Sequence, residues 1–132
     1  MLVNRGTQFA AFRGEDGERI TLRVSKCQSG SPIEVCELSL ECSGHYFRAV
    51  LDSDEVTCLA DFLMFRYSNA NVGSIAFEGE QGERLILRHS NMGEPYREGV
   101  SIAVEGVEEF PDYVGPFVES FEVKRMRGFI AQ

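Results

Sequence analysis

Residues 12–23 read FRGEDGERITLR, and residues 77–88 read FEGEQGERLILR. Phe12/Phe77, Gly14/Gly79, Glu15/Glu80, Gly17/Gly82, Glu18/Glu83, Arg19/Arg84, Leu22/Leu87 and Arg23/Arg88 recur at one constant spacing, about half the 132-residue chain. The chain therefore reads as one domain, 1–132, with two like halves over about 9–52 and 74–126. At this length a second independent core has little room. Each copy reads as a β-hairpin. A three-residue loop, Glu15-Asp16-Gly17, sets Phe12 opposite Ile20 and Ala10 opposite Leu22, with all four apolar side chains on one face. A two-residue turn would pair Phe12 with Thr21 and split that face. Such a loop ends on a left-handed residue, which Gly17 and Gly82 supply. The second copy then pairs Phe77 with Leu85, Ile75 with Leu87 and Glu78 with Arg84. The repeated Gly-Glu-x-Gly-Glu-Arg is read as turn chemistry rather than a phosphate cradle, because no helix follows it.

The likeness continues more faintly. VCELSLECSG (35–44) alternates Cys36, Leu38, Leu40 and Cys42 against Glu37, Ser39 and Glu41; GVSIAVEGVE (99–108) alternates Val100, Ile102 and Val104 against Ser101, Ala103 and Glu105. HYFRAVLD (45–52) and ESFEVKRM (119–126) would be the fourth strands. The expected fold is mainly β: a sandwich or flattened barrel of about eight antiparallel strands in two duplicated halves. One helix is expected near 53–67, capped by Asp52 or Ser53. Val56, Leu59, Ala60 and Leu63 would face the sheet. Cys58, Phe62 and Phe65 fall on roughly the opposite side, so that stripe is either buried under a loop of the same chain or a contact surface.

Composition excludes several classes. Hydrophobic residues are 43% and charged residues 26%, enough for a real core and too apolar for a disordered chain. The net charge of −8 disfavours nucleic acid and anionic membranes and suits a basic protein partner. No stretch approaches the ~20 apolar residues of a membrane helix, and MLVNRGTQFAAF lacks a long apolar signal core. Cys36 and Cys42 on one strand would be roughly 20 Å apart at ~3.3 Å per residue, beyond the ~7 Å that a disulfide spans. With Cys27 and Cys58 they read as reduced thiols of a cytoplasmic protein.

No catalytic set and no cofactor motif emerges. Cys42-Ser-Gly-His45 is a CxxH without a second ligand pair, so His45 reads as a turn residue and no metal is expected. His89 takes the place of Val24 in the repeat, as a half-buried polar residue at a sheet end. Asp52-Ser53-Asp54-Glu55 resembles the start of a calcium loop but lacks its glycine and distal glutamate, and helix capping accounts for it. Cys27, in SKCQSGSP beside Lys26, is the most reactive thiol on sequence grounds. The segment EGVEEFPDYVGPF (105–117) interleaves Glu105, Glu108, Glu109 and Asp112 with Phe110, Tyr113 and Phe117. It is either a protein-binding loop with aromatic anchors or a crossover whose aromatics cap the sheets. Glu105, Glu108, Glu109, Phe110, Asp112 and Tyr113 are the first candidate contact residues, and Phe62 with Phe65 the alternative surface.

The order of FRAVLD, the helix DEVTCLADFL, the pair GSIAFEGEQGERLILRH and VSIAVEG, and the final SFEVKRM resembles small bacterial proteins of the WapI immunity type and related uncharacterised families. The likeness runs over about 9–126. It implies a non-enzymatic binding protein that neutralises a bacterial toxin by direct contact, with a basic toxin domain as partner. The alternatives are a small-molecule-binding or enzymatic β-sandwich, and a homo-oligomeric structural module such as a homodimer.

Overall fold

The computed structural model describes residues 7–26, 33–42, 44–64, 74–92, 97–106 and 113–130. The strands are β1 (Thr7–Arg13), β2 (Arg19–Lys26), β3 (Ile33–Cys42), β4 (His45–Leu51), β5 (Ser74–Glu78), β6 (Arg84–Met92), β7 (Arg97–Glu105) and β8 (Tyr113–Glu119); the helices are α1 (Ser53–Met64) and α2 (Ser120–Ile130). They form two four-stranded antiparallel sheets, β1-β2-β3-β4 (sheet A) and β5-β6-β7-β8 (sheet B), each in chain order. The sheets do not close into a barrel.

The hairpins have the register that the turn chemistry requires. Phe12 faces Ile20 and Ala10 faces Leu22; Phe77 faces Leu85, Ile75 faces Leu87, and Glu78 faces Arg84. Gly17 and Gly82 stand at φ of 88° and 85°, and Phe12 and Phe77 are buried. Period-two alternation then assembles the inner faces. In sheet A the rows are Phe12–Ile20–Leu40–Phe47, Ala10–Leu22–Leu38–Ala49 and Val24–Cys36–Leu51. In sheet B they include Phe77–Leu85–Val104, Ile75–Leu87–Ile102 and His89–Val100–Val118. Residues of both sheets and both helices join one buried cluster.

The second half differs from expectation at its end. ESFEVKRM is not the fourth strand. That strand is β8, and ESFEVKRM runs from the last residue of β8 into α2, so the described residues hold two helices where one was expected. Phe121 and Val123 imitate strand alternation, but Arg125 breaks it, while Val123, Met126 and Ile130 follow helical spacing and are buried. The duplication consequently runs through the helices. Ser53/Ser120, Glu55/Glu122, Val56/Val123, Leu59/Met126, Phe62/Phe129 and Leu63/Ile130 correspond, at a slightly wider spacing than the hairpins.

The halves interlock. The Glu15 N–H donates to the Phe117 carbonyl at 2.8 Å, and the Glu80 N–H donates to the Arg48 carbonyl at 2.9 Å. Each hairpin loop thus hooks the last strand of the other half. Each helix packs on strands of its own sheet and on the first strand of the other, and the helices pack on each other.

Candidate interaction surface

The first candidate surface is only partly within the described residues. Glu105 is exposed at the end of β7, on the outer face of sheet B opposite Arg84. Tyr113 opens β8 with its backbone opposite Val104. Glu108, Glu109, Phe110 and Asp112 lie outside the described residues, as do Cys27 and Phe65. Phe117 is buried.

The alternative surface does not hold for Phe62, which is 3% exposed. Its ring stacks on His89 of sheet B, with centroids 4.0 Å apart and planes 24° from parallel. The second apolar stripe of α1 exists because this helix meets both halves of the chain. His89 does occupy the inward, half-buried place of Val24. Burial lowers its pKa, and the nearby Phe62 backbone opposes that shift.

The acidic start of α1 is a reciprocal capping box. The Glu55 N–H donates to Asp52 Oδ1 at 2.9 Å, and the Asp52 N–H donates to Glu55 Oε1 at 3.2 Å. His45 opens β4 and stacks on Phe47. Among the described residues no three His, Cys, Asp or Glu side chains converge as a metal set would. No described helix is long and apolar enough to cross a membrane. Cys36, Cys42 and Cys58 are free thiols. Burial, aided by the Glu37 carboxylate, pushes the Cys36 thiol up to about 12, which keeps it protonated and unreactive.

Two features that the sequence reading missed stand out. The first is a groove of about 550 Å³ where β1 and its hairpin meet α2, lined in part by Ala11, Arg13, Glu15, Phe121, Glu122 and Arg125. Its floor is Glu122, 4% exposed. Glu122 Oε2 accepts the Arg13 N–H at 2.8 Å, and its Oε1 accepts from Arg125. The Arg125 guanidinium lies 5.2 Å above the centre of the Phe12 ring, in cation–π range, and Phe129 meets the same ring edge-on. Aligning Ser53-x-Glu55-Val56 with Ser120-x-Glu122-Val123 would have shown α2. It would not have shown that Glu122, freed from capping, ties α2 to β1.

The second is the outer face of sheet A. Phe9, Val35, Tyr46 and Val50 all point there, and all are exposed. They share the face with polar pairs: Glu37 bonds Arg48 and lies 3.9 Å from Arg23, and the Tyr46 hydroxyl is 3.0 Å from Ser39 Oγ. Phe9 and Val50 end one cross-strand row, Phe9–Arg23–Glu37–Val50, and Val35 sits diagonally beside Val50. No protein-family model, curated protein or solved structure matches the chain, so its surfaces are read from their chemistry alone.

Proposed function

We propose that this chain is a non-enzymatic, cytoplasmic binding protein that engages a basic protein partner, as an immunity protein engages a toxin domain. The observation that carries the reading is the outer face of sheet A. Of the six exposed large hydrophobic side chains among the described residues, Phe9, Val35, Tyr46 and Val50 share this one face. Solvated sheet faces are ordinarily polar, and large apolar groups interleaved with charged ones are the composition of a protein contact. Net charge supplies the other half of the argument. At −8 the chain attracts basic partners at long range, and exposed aromatics supply short-range attachment. The sequence of 105–113 repeats this acidic and aromatic composition.

The test is isolation of the tagged full chain from its native host, followed by sizing of the purified complex. The expected result is a stoichiometric complex with a basic protein. Reversing Glu108 and Glu109 to lysine should slow association and weaken its salt dependence, with thermal stability unchanged. Changing Tyr113 to alanine should mainly speed dissociation. An acidic partner would remove the electrostatic part of the proposal. Association kinetics untouched by the double reversal would move the contact away from 105–117.

A further inference from the structure

We infer that the free edge of β1, continued by the groove against α2, receives an extended segment of a partner protein as an added strand of sheet A. The inference rests on the protein-binding reading above and specifies how the contact is made.

The backbone sets the direction. The Gly14 N–H donates to the Glu18 carbonyl across the hairpin. Because amide directions alternate along a strand, Phe12, Ala10 and Gln8 address β2, whereas Arg13, Ala11, Phe9 and Thr7 address the open side. The Arg13 N–H bears this out, since it is taken by Glu122 rather than by β2. Thr7, Phe9 and Ala11 then present an outward ladder of donors and acceptors. Among the described residues β1 has β2 as its only strand neighbour.

Comparison with the other edges sharpens the point, because exposed edges are normally protected against strand addition. On β4 the Arg48 carbonyl is occupied by the Glu80 N–H. On β8 the Phe117 carbonyl is occupied by the Glu15 N–H, and Pro116 together with a register shift breaks the ladder. The edge strand β5 is only five residues long and ends on Glu78. By contrast, β1 reads TQFAAF before Arg13, with no charge and no proline, and Phe9 is 68% exposed.

Beside that edge lies the groove. Phe121, 59% exposed, gives it an apolar wall, and its charged rim mixes Glu15 and Glu119 with Arg13 and Arg125, turning acidic towards the exposed Asp16 of the hairpin loop. A segment laid along β1 would have alternate apolar side chains against Phe9 and Phe121. Where it reaches the hairpin loop it would carry Lys or Arg. Charge also selects the occupant: a second copy would bring another −8 to the contact, whereas a basic segment is attracted. Main-chain bonding along the edge with side-chain pockets at alternate positions is the general chemistry of strand addition.

The probe is a display library of random ten-residue peptides panned on the full chain, with Ala11→Pro as the comparison protein. Proline at 11 removes an outward N–H and leaves the β1–β2 ladder intact, and Phe9→Lys supplies a second variant with an unaltered backbone. The expected peptides alternate apolar residues with Lys or Arg. They should bind Ala11→Pro roughly tenfold or more weakly, bind Phe9→Lys more weakly, and slow hydrogen exchange at Thr7, Phe9 and Ala11. Peptides that bind all three proteins alike, peptides rich in Asp or Glu, or no enriched peptide would each overturn the inference. A dimer of this chain that Ala11→Pro dissociates would also overturn it, by assigning the edge to a second copy. If peptides fail but the host partner still forms a stoichiometric complex, the edge is excluded and the binding function stands.

Discussion

At the scale of single residues, the repeated Gly-Glu-x-Gly-Glu is a folding device. In the second hairpin Glu83 is 1% exposed, and its carboxylate accepts the Gln81 N–H at 3.1 Å. Its counterpart Glu18 accepts the Asp16 N–H at 2.9 Å. The first glycine of each copy makes room for this: a Cβ on Gly79 would stand 1.5 Å from Glu83 Oε1, and one on Gly14 would stand 2.6 Å from Glu18 Oε1. The second glycine has a different duty. A Cβ on Gly82 would meet nothing within 4 Å, so only its positive φ excludes other residues. The two roles give different costs. Gly82→Ala should lose about 1 kcal/mol through left-handed strain. Gly79→Ala should lose about 2 kcal/mol or more, because the added Cβ overpacks a site filled by the buried Glu83 side chain. Urea denaturation of the two variants measures both, and equal losses would mean that the carboxylate swings out freely.

At the scale of elements, what was legible followed from how local the determinants are. The hairpin registers and the β3 and β7 alternations were readable because turn residues and period-two patterns specify them within a dozen residues. So was α1, whose capping box is contained in Asp52–Glu55. The strand misassigned over 119–126 had weaker local signals. Phe121 and Val123 copy a strand, and Gly128 weakens the helical reading. Its helical stripe becomes decisive only once Val123, Met126 and Ile130 have a surface to cover. The groove was illegible for a simpler reason: Arg13 and Glu122 are 109 residues apart in the chain. Gly128 gives this scale its prediction. It is exposed, has a negative φ, and a Cβ there would meet nothing within 4 Å. Gly128→Ala should therefore raise stability by roughly 0.5–1 kcal/mol, by restricting the unfolded chain and favouring helix. A thermal melt reads this directly, and no gain would mean that the last turn of α2 contributes little to stability.

At the scale of the molecule, the interlocked halves place one titratable ring at their junction. His89 belongs to sheet B, but its ring rests on Phe62 of α1, in the first half. The corresponding position in the first half is Val24, which cannot titrate. Burial disfavours the imidazolium, and this outweighs the opposing influence of the Phe62 backbone, so the folded pKa lies below the ordinary 6.5. As pH falls through 6.5, the unfolded chain takes up a proton at this residue while the folded chain does not. Mass action then favours unfolding, and stability falls until the lower folded pKa is reached. Above 6.5 both states are neutral at this position, and the contribution is flat. His89→Phe keeps an aromatic ring against Phe62 and removes the proton site. The expected outcome is that wild-type stability, followed by urea midpoints from pH 7.5 down to 5.5, falls more steeply than that of the variant. The gap should open near 6.5 and close again at neutral pH, once the pH-independent effect of the substitution is subtracted. Parallel curves would show that water reaches the ring in the folded protein and that the junction of the halves is looser than the 4.0 Å stack implies.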